Sequence, residues 1–158
     1  MECEAMNVPA IFSAIFCKKI RSPSSNLSVE RGAWGENLAV RHLSSLGWRI
    51  LERNARPCRR DRRCELDIVA YIAKENKVVF VEVKTHKHRN GKAPRMWGLS
   101  RNKKKNLLRA SVCWIMHRRW HGNWRFDVLE IYGETDSSEV EIDHITNVRI
   151  FPPRWRFW

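Results

Sequence analysis

Glu65-Leu66-Asp67-Ile68-Val69-Ala70-Tyr71-Ile72-Ala73 and Lys77-Val78-Val79-Phe80-Val81-Glu82-Val83-Lys84-Thr85 are separated only by Lys74-Glu75-Asn76. Both runs are rich in β-branched and aromatic residues, and a short polar connection between such runs reads as an antiparallel hairpin. Alternate residues of a strand share a face. Glu65 and Asp67 therefore project together, as do Glu82 and Lys84 on the second strand. Their neighbours Leu66, Ile68, Val81 and Val83 face the other way and can bury. Taken singly, charges between apolar residues mean one wet face.

Register decides whether the two charged sets meet. With a connection centred near residue 75, Asp67 opposes either Glu82 or Lys84. The register between these would set Asp67 against Val83 and bury charge, which the apolar pattern disfavours. Either allowed register brings two carboxylates and one ammonium together. Like charges directly opposed on strands repel, so a cation is expected between them. Hard oxygen ligands suit Mg²⁺ or Mn²⁺, which take one or two carboxylates plus water and phosphate oxygens. The Val83 carbonyl is a further oxygen, and Lys84 can orient water or offset charge on an attacked phosphate. This is the chemistry of phosphodiester hydrolysis, although Asp-x(n)-Glu-x-Lys is by itself a weak pattern.

Working outward, Ser28 is a candidate cap for a helix over 28–46, and Gly47 a candidate stop. Ala39, Val40, Leu43 and Leu46 follow helical spacing. Glu36 falls on that same face. It reads either as an early acid favoured by the helix dipole or as an acid pointed at a site near the sheet, and spacing does not choose. A strand is expected over 48–55, followed by a loop with Arg56, Arg59, Arg60, Arg62 and Arg63 around Asp61. Residues 86–99 form a basic loop, Ser100 caps a second helix over 101–119, and strands follow over 125–132 and within 140–150. The order is helix, three strands, helix, strand, strand. It predicts an α/β fold with helices packed on a central mixed sheet. Residues 1–27 read as a partly flexible N-terminal extension and 152–158 as an aromatic C-terminal tail.

The chain has 158 residues, 30 Lys and Arg against 17 Asp and Glu, and a formal net charge of +13. One domain is expected, large enough to bury a core without staples. The charge favours a polyanionic partner, nucleic acid ahead of an anionic membrane surface. Five cysteines without CxxC spacing indicate neither a disulfide framework nor a zinc site, and free thiols of a cytoplasmic protein are the expectation. The apolar stretch near the N-terminus carries its basic residues on the wrong side for a signal peptide. No run reaches the ~18 apolar residues of a spanning helix.

Together, Ser28 to Gly47 with Gly35-Glu36, then Glu65-Leu66-Asp67-Ile68-Val69-Ala70, then Phe80-Val81-Glu82-Val83-Lys84-Thr85, resemble the YraN-like family of the PD-(D/E)XK nuclease superfamily. Lys103, Arg125-Phe126-Asp127-Val128 and Ile142-Asp143-His144-Ile145 extend the likeness, which covers about 28–151. The resemblance implies a restriction endonuclease-like core. It also implies that Asp67, Glu82 and Glu36 are metal ligands, Lys84 the catalytic lysine and Lys103 an auxiliary basic group. Cys64 stands where the family usually has glycine, and the loop 54–64 is longer and richer in arginine than usual.

Two functions follow as expectations. One is a Mg²⁺- or Mn²⁺-dependent endonuclease acting on DNA, branched or structured DNA included. The other is a nucleic-acid-binding module of nuclease fold that acts through a partner. Arg59, Arg60, Arg62, Arg63, Lys87, Arg89, Lys103, Lys104 and Lys105 are the expected contacts to backbone phosphates. RNA ranks behind DNA, with Trp97 and Trp120 as candidate stacking residues. Junction resolvases of the superfamily are dimers, but no dimer interface is legible in the sequence.

Overall fold

The computed structural model describes residues 27–58, 61–89, 100–135 and 139–150. The expected N-terminal extension, Arg59, Arg60, Trp97 and the aromatic tail lie outside the described residues. In chain order the elements are α1 (Leu27–Ser45), β1 (Arg49–Ala55), β2 (Leu66–Ile72), a 3₁₀ turn (Ala73–Glu75), β3 (Lys77–His86), α2 (Arg101–Arg118), β4 (Asn123–Tyr132) and β5 (Glu141–Ile145). The five strands form one sheet in sequence order.

The hairpin of β2 and β3 pairs Ile68 with Val81 and Val69 with Phe80. One step further along this register, Asp67 falls opposite Glu82, the first of the two registers allowed by patterning. The turn closes through Asn76, at φ 45°, whose N–H donates to the Ala73 carbonyl. Asparagine tolerates this left-handed conformation because its short side chain bonds locally.

β3 and β4 are parallel, whereas the other three pairings are antiparallel. A parallel pair needs a crossover connection, and α2 supplies it. The helix therefore begins near the end of β3 that carries Glu82 and Lys84. Ser100 caps it as expected, its hydroxyl accepting from the Lys103 N–H at 3.2 Å. The mixed α/β sheet flanked by helices is as predicted.

The two helices lie on opposite faces of the sheet. Ala39 and Leu43 of α1 join Ile68, Ala70, Val79 and Leu129 in one core. Leu107, Leu108 and Trp114 of α2 join Val69, Phe80 and Val128 in the other. β3 is buried on both faces through its centre, which its run of valines anticipates.

Some boundaries differ from expectation. α1 starts at Leu27, one residue before the expected cap Ser28, and ends at Ser45. Leu46 falls just past that end and is 50% exposed, so it does not extend the apolar stripe. Gly47 ends the turn at φ 77°, a conformation glycine adopts without steric cost. β1 carries a register shift between Ile50 and Glu52 that its sequence did not announce. Only one strand forms within 140–150; beyond it, Val148 and Ile150 are buried in the α2-side core.

Among the described residues no helix is long and apolar enough to cross a membrane.

Candidate catalytic site

Asp67, Glu82, Lys84 and Lys103 meet on the α2 face of the sheet. Lys84 Nζ lies 2.7 Å from Glu82 Oε1. Lys103, one turn into α2, brings its Nζ to 3.0 Å from the same oxygen. The Val83 N–H donates to Asp67 Oδ2 at 2.8 Å, so the aspartate bridges from β2 to the backbone of β3. Glu82 is 2% exposed, and its second oxygen, Oε2, is buried without a hydrogen-bond partner. Such an orphaned carboxylate oxygen is costly and calls for an explanation.

The electrostatics of the group follow from burial and like charge. Burial, then the Glu82 carboxylate, pushes the Asp67 carboxyl up to about 6, against the pull of the Val83 N–H, Lys103 and Lys84. Burial also disfavours the charge of Lys103, but Glu82 and Asp67 outweigh it and hold the ammonium above its ordinary value. Lys103 was expected as an auxiliary group toward phosphate; here it balances the acid pair.

Asp67 and Glu82 form a two-carboxylate set of hard oxygens, with Glu82 Oε2 unpartnered. That chemistry fits a Mg²⁺ or Mn²⁺ ion completed by water and phosphate oxygens. No group of three or more His, Cys, Asp or Glu side chains among the described residues is arranged to hold a metal ion. Glu36, expected as a third ligand, is engaged elsewhere: its carboxylate accepts from Asn54 Nδ2 at 2.8 Å and lies 3.8 Å from the Arg53 guanidinium. Asn54 adopts φ 49° at the end of β1. This local conformation, together with the β1 register shift, is what sequence spacing does not carry.

One buried acid on this face was not anticipated. Lys84 pairs with Glu130 across the parallel β3–β4 ladder, and Glu130 is 1% exposed. The Tyr132 O–H donates to Glu130 Oε2 at 2.5 Å. Burial and that bond push the Tyr132 phenol up to about 12. His86 stacks on the Tyr132 ring with centroids 5.2 Å apart. A signal existed in the alternation of Val128, Glu130 and Tyr132, but only the register across the crossover reveals that they share the face of Lys84.

The expected phosphate contacts separate into two kinds. Arg63 pairs with Asp61 at 2.9 Å and Lys87 with Glu134 at 3.2 Å. Arg89 pairs with both Glu141 and Asp143 and lies over the Tyr132 ring. These cations already have acidic partners. Arg62 and Lys105 are exposed and Lys104 is half-buried.

A second polar centre lies on the α1 face. Asp127, fully buried, accepts from Arg125 Nε at 3.0 Å and from the Asn147 N–H at 2.8 Å. His144 Nε2 lies 3.0 Å from its other oxygen. These partners tie β4 to β5 and to the segment after it.

Sheet, helices and acid–acid–lysine cluster define a small α/β protein with a polar site on its central hairpin. The chain belongs to the Uncharacterised protein family UPF0102, whose model matches residues 35–131. That span includes Glu36, Asp67, Glu82, Lys84, Lys103 and Glu130. A UPF0102 protein of Pelobacter propionicus is 38% identical over 130 residues, covering 80% of this chain and 89% of that protein. One from Mycobacterium sp. (strain KMS) is 41% identical over 121 residues, covering 74% and 83%. Among solved structures, SfsA of Pyrococcus furiosus in complex with Ca²⁺ is similar at a TM-score of 0.36 and 16% identity, over 75% of this chain and 63% of that one.

Proposed function

We propose that this protein is a metal-dependent phosphodiesterase acting on nucleic acid, with DNA ahead of RNA. The supporting observation is the buried Glu82, its Oε2 unpartnered, beside Asp67 and within ion-pair distance of Lys84 and Lys103. Asp67 and Glu82 would hold Mg²⁺ or Mn²⁺, which supplies Lewis-acid activation of the phosphate and of a water. Lys84 is partly exposed beside the acids, suited to orient a water and to offset charge developing on phosphate oxygens. Lys103 maintains the charge balance of the acid pair, and the exposed Arg62 and Lys105 suit backbone phosphates.

The test is incubation with branched, nicked and single-stranded DNA, and with RNA, in Mg²⁺ or Mn²⁺. Cleavage lost in Asp67→Asn and Glu82→Gln supports the reading. No cleavage of any substrate, or cleavage unchanged in these variants, overturns it.

A second reading is a nucleic-acid-binding module. It is favoured by Lys84 and Lys103, which already balance Asp67 and Glu82 without a metal. It predicts salt-sensitive binding that is indifferent to EDTA and to Glu82→Ala. Absence of binding at low salt would remove both readings.

A further inference from the structure

Three cysteines far apart in sequence converge between the β1–β2 loop and α2. The Cys58 thiol donates to Cys113 Sγ at 2.8 Å across a separation of 55 residues. Cys64 completes the cluster and is fully buried, whereas Cys58 and Cys113 are half-buried. Two turns bring the loop cysteines together: the Asp61 N–H donates to the Cys58 carbonyl and the Cys64 N–H to the Asp61 carbonyl, each at 3.1 Å. Arg109 then fastens the loop to α2 through Asp61 at 3.1 Å. The loop is thus docked on the helix by polar contacts with a thiol pair at their centre.

We propose that Cys58 and Cys113 are a redox-active dithiol, closed to a disulfide by an oxidant of the peroxide class. A disulfide holds its sulfurs about 2.05 Å apart, so closure from 2.8 Å asks for an approach of roughly 0.8 Å. Among the described residues the three cysteines do not form a group arranged to hold a metal ion. In the first step the Cys113 thiolate attacks one peroxide oxygen. The O–O bond breaks, the released hydroxide takes up a proton, and Cys113 becomes a sulfenic acid. In the second step Cys58 sulfur attacks Cys113 sulfur and the S–O bond breaks. The Cys58 proton leaves with the hydroxide as a second water, and the S–S bond forms. Two sulfurs are oxidised while one peroxide is reduced to two waters.

The order follows from the surroundings. The Cys58 S–H donates toward Cys113 Sγ, which makes Cys113 the sulfur with its lone pairs free to attack and Cys58 the resolving thiol; burial, then the hydrogen bonds to Cys113 and Cys64, also pushes the Cys58 thiol up to about 12. Cys64 is shielded from solvent and from the oxidant. The bond would tether the loop carrying Arg56, Arg62 and Arg63 to the helix carrying Lys103, Lys104 and Lys105. Oxidation would then fix the relative position of two basic segments that are only non-covalently docked in the dithiol state.

The experiment treats the folded, full-length protein with graded hydrogen peroxide, blocks remaining thiols by alkylation, digests it and maps linked peptides by mass spectrometry. The expected result is one linked pair, Cys58 with Cys113, that disappears on treatment with dithiothreitol. Cys113→Ser should abolish it, and Cys64→Ser should leave it. A link through Cys64, Cys3 or Cys17 in place of this pair overturns the proposal. So does full alkylation of both residues after peroxide, or their conversion to sulfinic or sulfonic acids without a link. The wild-type map alone decides if a variant fails to fold.

Discussion

Replacing Gly35 with alanine measures how closely α1 is seated on the sheet. A Cβ built at Gly35 would lie 2.0 Å from Thr85 Cγ2, with Thr85 Cβ at 3.5 Å and Val83 Cγ1 at 3.8 Å. Only the methyl clashes; the other two contacts are ordinary. Inside a helix, glycine to alanine is worth about 1 kcal/mol of propensity. Against this, forcing extra volume into a packed site costs about 1–3 kcal/mol. In the wild-type background the variant should therefore be destabilised by about 0–2 kcal/mol. In a Thr85→Ser background the clashing methyl is gone, and the same change should stabilise by about 1 kcal/mol. The four proteins form a double-mutant cycle with a coupling of about 1–3 kcal/mol, read from urea unfolding midpoints and slopes. If Gly35→Ala has the same sign and size in both backgrounds, the close seating of α1 on β3 is refuted.

Asp127→Ala should cost about 3 kcal/mol, because Arg125 loses its buried partner and is left with the exposed Glu75 at 3.7 Å. Burial works against the Asp127 charge, but His144, Arg125 and the Asn147 amide hold its pKa below the ordinary carboxylate value. Its contribution is therefore present above the unfolded value of about 3.9 and is lost as pH falls below it. The urea midpoint of the wild type should drop in that range relative to Asp127→Asn, and parallel curves would contradict the assignment. Closing the Cys58–Cys113 loop, 55 residues in separation, should stabilise the peroxide-treated protein by about 4 kcal/mol over the reduced form. Comparing urea unfolding with and without dithiothreitol checks this; equal midpoints despite a mapped link would mean that the bond strains the native state. Lys103→Gln should speed unfolding, since it removes one of two cations on buried Glu82; stopped-flow unfolding in urea reads this directly, and an unchanged rate would count against its charge-balancing role.

The hairpin was legible because period-2 alternation and a three-residue connection leave few registers, and burial of charge removes one of those. The Ser100 cap and the Gly47 stop were legible because each depends on a single residue type in a local conformation. Glu130 was not: its neighbour Lys84 lies across a parallel pairing whose register is set through a whole helix. The partners of Glu36 were hidden for a similar reason, since they depend on a left-handed Asn54 and an irregular β1. Composition announced a surplus of cations but not their pairing. Arg89 meets acids more than 50 residues away, at Glu141 and Asp143. The cysteines looked unrelated because CxxC spacing is a local signal, and Cys58 and Cys113 meet only after α2 docks.

The sheet's mixed topology also sets an order of assembly. Asp67 and Glu82 belong to a hairpin closed by one short turn, whereas Lys103 reaches them only when α2, the crossover from β3 to the parallel β4, packs on the sheet. Local pairing closes small loops and is entropically cheaper than the crossover. The two acids are therefore brought together while still solvated, with Lys84 as the one cation that the hairpin itself provides. Helix docking both covers Glu82 and adds a second ammonium, Lys103, to the one that Lys84 already supplies from the hairpin. The polar site thereby rewards completion of the fold.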